Sequence, residues 1–345
     1  MTTLPTPGLP TPGLPTPGLP TPGLPTHDDV RAAAERLAGR IVRTPMLRHP
    51  LLDQLTGATV LVKPEPLQRT GSFKLRGATN AALKLSPEQR AAGVVTHSSG
   101  NHGQAVACAA AALGMRALIA MPQDAPAIKV ESTRRWGAEI TFFDRATTDR
   151  ETLADRLAAE HGGTVLPPFD HPDVIAGQGT AALELIEDAK AAGLTLDALL
   201  VCTGGGGLVA GSALAVEGAS PGTEVWGVEP EGWDDTARSL AAGERLRADG
   251  QGSLLCDSLL SVRPGALTFA INRRLLAGAV AVDDAEVLHA MRFAFEALKI
   301  VAEPGGAVAL AAALTGKVPL QGRTVGVVIS GGNVDPAVFA RALAA

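Results

Sequence analysis

Residues 198–213 read Ala-Leu-Leu-Val-Cys-Thr-Gly-Gly-Gly-Gly-Leu-Val-Ala-Gly-Ser-Ala. The apolar run Ala198 to Cys202 suits a strand buried on both faces, and the small apolar run after the glycines suits a helix. Between them, Gly204, Gly205, Gly206 and Gly207 let several backbone amides converge on one anion, with the positive end of a helix dipole behind them. A flexible turn is the plainer reading, but four glycines with nothing to hold add only chain entropy to be lost on folding. A loose dinucleotide fingerprint also fits, Gly205-x-Gly207-x-x-Ala210 with Glu224 and Glu229 as ribose ligands. On this loop alone the two ligands stand level.

Outward from the junction, β-rich runs alternate with helical ones. The strand runs are Ala58 to Val62, Val94 to His97, Arg116 to Ala120, Glu139 to Phe143, Glu224 to Val228 and Thr324 to Ile329. The helical runs include Gln104 to Leu113, Thr148 to Glu160, Thr180 to Ala192, Ala285 to Ala297 and Ala307 to Leu314. Such alternation predicts parallel sheets covered on both faces, the α/β class, with ligands where strands end and helices begin. Residues 1–26 differ: four copies of Leu-Pro-Thr-Pro-Gly fill residues 4–23, without one charged side chain. Proline at that density blocks helix and ladder hydrogen bonds, so an extended, disordered tail is expected.

Two more strand ends carry small polar loops: Ser98-Ser99-Gly100-Asn101-His102-Gly103 and Ser330-Gly331-Gly332-Asn333. Their hydroxyls and amides suit a carboxylate or a heterocycle, and a dinucleotide site needs neither. Lys74, between Phe73 and Leu75, is a surface charge if taken alone; in an apolar pocket, desolvation lowers its pKa and makes it a nucleophile and base. Glu229, Trp233 and Asp235 lie on a Pro- and Gly-containing turn. Its acids are solvated loop residues on the bland reading and hard oxygen ligands on the sharp one.

Composition narrows the function. The 345 residues carry 30 Lys plus Arg against 35 Asp plus Glu, a net charge of -5, which argues against nucleic acid as a partner. No apolar run approaches the ~20 residues that span a bilayer. Three scattered cysteines fit neither a disulfide framework nor a zinc knuckle and point to the cytoplasm.

In chain order, Gly71-Ser72-Phe73-Lys74-Leu75-Arg76-Gly77-Ala78, the loop at 98–103, Ala176-Gly177-Gln178-Gly179-Thr180, the glycines at 204–207, Glu303-Pro304-Gly305-Gly306-Ala307 and the loop at 330–333 resemble the fold type II pyridoxal phosphate enzymes. Within them the pattern is similar to the branch of threonine dehydratases, serine racemases and 3-hydroxyaspartate dehydratases. The resemblance spans about residues 43–333. It implies a two-domain fold like the tryptophan synthase beta chain, with a large domain over 27–92 and 169–345, a small one over 93–168, and the cofactor in the cleft.

The resemblance also implies roles. Lys74 carries the cofactor covalently and is the catalytic base. Gly204, Gly205, Gly206, Gly207 and Leu208 hold its phosphate, Phe73 and Glu303 flank it, Asn101 bonds its phenolic oxygen, and Ser330 faces its ring nitrogen. A hydroxyl there does not keep the ring protonated as a carboxylate does, which favours early loss of a β-leaving group. Ser98, Ser99, Gly100, Asn101 and His102 receive the substrate carboxylate, and Ser99 is the catalytic hydroxyl on the opposite face. A divalent cation, Mg²⁺ or Ca²⁺, sits on Glu229, the Trp233 carbonyl and Asp235. The implied reaction is dehydration of a 3-hydroxy amino acid to a 2-oxo acid and ammonia, by a homodimer. The alternatives are a racemase of the same family and, outside it, an NAD-dependent oxidoreductase.

Overall fold

Runs such as Val60-Leu61-Val62 and Val325-Gly326-Val327-Val328 have no polar face to turn to water, so each must be covered on both sides. The computed structural model describes residues 23–345 except 99, 126, 145, 146 and 149; most of the proline-rich tail, residues 1–22, therefore lies outside the described residues. Among the described residues nine strands occur in chain order: β1 Thr59–Pro64, β2 Val94–His97, β3 Ala117–Pro122, β4 Glu139–Phe143, β5 Thr164–Val165, β6 Ala198–Cys202, β7 Glu224–Pro230, β8 Gly278–Val282 and β9 Thr324–Ile329. They build two sheets, ordered β1-β9-β6-β7-β8 and β4-β3-β2-β5. All pairings within both sheets are parallel, as in β6, whose Leu200 lies opposite Trp226 of β7 and Val327 of β9.

Seven strands lie on the runs expected from sequence, and β5 and β8 do not. β5 has only two residues. In β8, Gly-Ala-Val-Ala-Val, the side chains are too small for a clear period, and its place follows from pairing: a Cβ on Gly278 would lie 2.6 Å from the Trp226 ring of β7.

Helices cover both faces of the five-stranded sheet. Pro172–Ala191 and Gly207–Ala219 bury one face around Leu199, Val201 and Val328, while Asp284–Phe293 and Pro304–Leu314 bury the other around Leu200, Val325 and Val327. Helix Pro172–Ala191 begins eight residues before the expected Thr180, because its glycines do not break it. Gly177 and Gly179 set the spacing between helices instead. A Cβ on Gly177 would lie 2.7 Å from the Gly77 Cα, in the helix Lys74–Lys84, and one on Gly179 would lie 2.5 Å from the Gly211 carbonyl oxygen. The helix that opens with Lys74 and the helix behind the four glycines are thus both held at backbone distance from a common third.

Arg76 fixes the same assembly by charge. Fully buried, it donates to Glu65 Oε1 and Oε2 at 2.8 Å each, to Glu184 Oε1 at 2.8 Å and Oε2 at 2.9 Å, and to Thr180 Oγ1 at 3.1 Å. Lys63 Nζ completes the cluster at 2.6 Å from Glu184 Oε2. A buried charge persists only when paired in this way.

Candidate active site

Lys74 opens its helix because the preceding residues are stitched to the loop after β9. Phe73 N donates to Ser330 O at 3.0 Å, Gly332 N donates to Gly71 O at 2.9 Å, and Ser72 bridges Gly331. Lys74 Nζ donates to Pro168 O at 2.8 Å and lies 5.1 Å from the centre of the Phe73 ring. Desolvation lowers its pKa to about 8, against a smaller upward pull from Glu303. About a tenth of Lys74 is therefore free amine at pH 7, far more than for an ordinary lysine.

This lysine lines a cavity of about 830 Å³, which admits a cofactor and a small substrate together. Phe73, Ser98, Gly100, Asn101, His102, Gly204 to Leu208, Glu303 and Ser330 line it too. Ser99 lies outside the described residues. Glu229, Trp233 and Asp235 are not among the lining residues.

The glycine loop is shaped by what leaves no room for side chains. Gly206 has φ of +93°, and a Cβ on Gly205 would sit 2.4 Å from the Phe169 ring. The helix Gly207–Ala219 starts here, so its first N–H groups have no partner inside the helix and stand at the cavity, a fit for a phosphate. The dinucleotide alternative loses its ribose ligands. Glu224 opens β7, at the sheet edge opposite the loop, and is tied to Trp226 and Arg323, while Glu229 caps a helix.

Across the cavity, Asn101 starts the helix Asn101–Ala112. Its Nδ2 donates to Glu303 Oε1 at 2.6 Å, and its Oδ1 accepts from Asn333 Nδ2 at 2.7 Å. Each amide atom retains one further hydrogen-bonding position. Burial pushes the Glu303 carboxyl up to about 7, against the stabilising hydrogen bond from Asn101 and the nearby ammonium groups. His102 is buried, with Nε2 2.9 Å from Leu166 O. Desolvation and the Lys74 charge hold its pKa down to about 3, so the ring is neutral, carries its proton on Nε2 and turns toward the backbone. Ser330 is buried beside the Cys202 thiol.

Pro168, Phe169, Lys129 and Asp257 also face the cavity and escaped sequence reasoning. None lies in a glycine-rich strand end, and only the pair Pro167-Pro168 before Phe169 hinted at a fixed turn.

A model for the family described as pyridoxal-phosphate dependent enzyme matches residues 37–331. The chain belongs to this family. A model of the GLTT repeat matches residues 4–27 in six copies. The chain is 47% identical over 317 residues to an L-threo-3-hydroxyaspartate ammonia-lyase of Pseudomonas sp, covering 92% of this chain and 98% of the relative. It is 42% identical to a serine racemase of Schizosaccharomyces pombe, covering 90% and 94%. The crystal structure of a threonine deaminase from T.th. superposes with a TM-score of 0.84 at 45% identity, covering 90% of this chain and 99% of that one. The family's fold type II architecture is that of the two parallel sheets, and its cofactor answers what the glycine loop left open.

The carboxylates after β7 are built differently. Glu229 Oε1 and Oε2 accept from Thr236 N at 2.9 Å and Ala237 N at 2.8 Å, capping the helix Asp235–Ala242. Both oxygens of the fully buried Asp235 lack a protein partner. Burial, with Asp235 beside it, pushes Glu229 up to about 8, and burial pushes Asp235 up to about 7. Trp233 turns its indole away, with Nε1 3.1 Å from Ser253 O. Among the described residues no cluster of three or more His, Cys, Asp or Glu is placed to hold a metal. Only Asp235, of the two, has both oxygens without a protein partner, and that donor pair, with Glu229 beside it, is chemically suited to a hard cation.

Proposed function

We propose that this protein is a pyridoxal phosphate-dependent ammonia-lyase that converts a 3-hydroxy L-amino acid of the serine, threonine or 3-hydroxyaspartate type to a 2-oxo acid and ammonia. The observation that carries the reading is Lys74, an amine with its pKa near 8, in one cavity with a glycine-rich helix N-terminus and a second helix N-terminus at Asn101. The names of the relatives support the same reaction type.

Lys74 would hold the cofactor, Gly204 to Leu208 its phosphate, Phe73 the flank of its ring, and Asn101 and Ser330 its polar ring atoms. Pyridoxal phosphate supplies, when bound, a sink for the electron pair left at the substrate's α-carbon. Ser98 and the amides from Gly100 to His102 would orient the substrate carboxylate at a helix N-terminus, and Ser99 would supply the hydroxyl on the opposite face. Lys74 as free amine takes the α-proton, and the β-hydroxyl departs with a proton as water. The enamine left then takes up water, releasing ammonia and the 2-oxo acid. His102, neutral because its pKa is held down to about 3, carries no titrating proton near neutral pH.

We also propose a unit of residues 27–92 and 169–345 facing a smaller one of 93–168, a homodimeric assembly, and a cytoplasmic location suited to three buried free thiols. The orphaned oxygens of Asp235, with Glu229 and the Trp233 carbonyl, would hold Mg²⁺ or Ca²⁺.

Borohydride reduction and peptide mapping test the cofactor site: a pyridoxyl group on the Lys74 peptide is expected, and one elsewhere or nowhere overturns it. An assay of 2-oxo acid release from serine, threonine, 3-hydroxyaspartate and phenylserine tests the reaction. Stereochemical inversion without 2-oxo acid would make the protein a racemase instead.

A further inference from the structure

Among the described residues lining the cavity there are two ammonium groups, Lys74 and Lys129. Lys74 is committed to the cofactor in the reading above. Lys129 sits in the helix Ala127–Arg134 that follows β3 of the four-stranded sheet, and its Nζ is paired with Asp257 Oδ2. Asp257 belongs to the loop between Ala242 and Ala266 on the five-stranded side, so the pair spans the cleft. The two partners differ in exposure: the Lys129 side chain is 20% exposed and that of Asp257 is 53% exposed. Lys129 and Asp257 lie within electrostatic range of the buried Glu303, which places the pair on the wall of the same cavity, away from Lys74 itself.

An exposed carboxylate is easily rehydrated, so an ion pair with such a member holds weakly. Lys129, withdrawn from water, gains more from keeping an anionic partner. We propose that Lys129 is the specificity residue for a substrate bearing a second carboxylate on its β-carbon, and that this carboxylate replaces Asp257 as its partner. The proposal rests on the ammonia-lyase reading and narrows its substrate class to a 3-hydroxy dicarboxylic amino acid, 3-hydroxyaspartate. Serine and threonine carry no carboxylate beyond the α one held at the Asn101 helix N-terminus, so they have nothing with which to break the pair. A bound dicarboxylate is held at both ends, its α-carboxylate at the Asn101 helix N-terminus and its distal one at Lys129. Asp257 then acts against it by like-charge repulsion.

The test uses the holoenzyme and its Lys129→Met, Lys129→Arg and Asp257→Asn variants, with 3-hydroxyaspartate, serine and threonine as substrates. Lys129→Met is expected to lower kcat/KM for 3-hydroxyaspartate by about 30-fold or more, mainly through KM, and to change that for serine by less than about threefold. Lys129→Arg is expected to restore most of the loss, and Asp257→Asn to raise kcat/KM for 3-hydroxyaspartate. Calorimetry adds a readout without turnover: succinate should bind the parent protein more tightly than butyrate does, and Lys129→Met should erase that difference. Equal losses for serine and 3-hydroxyaspartate, or succinate binding unchanged by Lys129→Met, overturn the proposal. Parent enzyme that turns over serine or threonine but not 3-hydroxyaspartate also overturns it and leaves the ammonia-lyase reading standing. Parent enzyme that releases no 2-oxo acid from any of the three brings down that reading itself.

Discussion

Asn101 donates to Glu303 across the cavity at 2.6 Å, although 202 residues separate them in the chain. The bond joins the helix behind β2 to the first turn of the helix Pro304–Leu314, and it holds a carboxyl whose pKa stands near 7 beside the ammonium of Lys74. Burial raises that carboxyl's pKa, and a side chain from the other sheet's side of the cavity holds it in part ionised.

Only the free amine of Lys74 can attack an aldehyde. Capture of pyridoxal phosphate by the apoprotein should accelerate with rising pH and level off above about 8. The negative charge of Glu303 raises the lysine's pKa, so Glu303→Gln should move this midpoint to lower pH. Stopped-flow absorbance from about pH 6 to about pH 10 measures both; a midpoint near the lysine's ordinary value of 10.5 contradicts the desolvated site.

Glu303 also predicts how stability varies with pH. Its folded pKa is raised from 4.5 to about 7, so the protonated form is favoured in the folded state. The associated stability is fully present below 4.5 and is lost as pH rises through about 7. Thermal melts of the apoprotein and Glu303→Gln should therefore diverge across that window, with the variant keeping more of its stability above it. Parallel melting curves count against a buried, titrating Glu303.

Replacing Arg76 by Met leaves Glu184 buried with only Lys63 and Glu65 with only the Thr44 hydroxyl. Breaking one side of such a cluster costs about 3–5 kcal/mol. Arg76→Lys should recover little, since an ammonium cannot span both carboxylates as the guanidinium fork does. Urea denaturation of both variants gives the values, and a loss below about 1 kcal/mol would remove the cluster from the account of stability.

If Asp235 and Glu229 hold a cation, Mg²⁺ at about a hundred times its Kd should stabilise the parent protein by about 2.7 kcal/mol. Asp235→Asn should abolish the shift, and EDTA should lower the melting temperature of the parent protein only. An equal response in both proteins places the cation elsewhere.

The readable part of the site was local. Ala198–Cys202 followed by four glycines, and Ser330 to Asn333 after β9, announce a strand end with exposed amides because burial of a strand and freedom of a glycine depend on immediate neighbours. Gly177 and Gly179 misled for the same reason: as isolated residues they weaken a helix, and only the backbones of Gly77 and Gly211 pressed against them explain their place inside one.

The amino-acid sequence by itself determined the α/β class, seven of the nine described strands, the lysine and the three loops that meet around it. The tertiary structure alone decided what those groups are chemically. The lowered pKa of Lys74, the raised one of Glu303, the neutral ring of His102, Phe169 against Gly205 and the pairing of Lys129 with Asp257 all follow from distances in space. Desolvation and Coulomb interactions act through those distances, and strand order, not chain order, sets them.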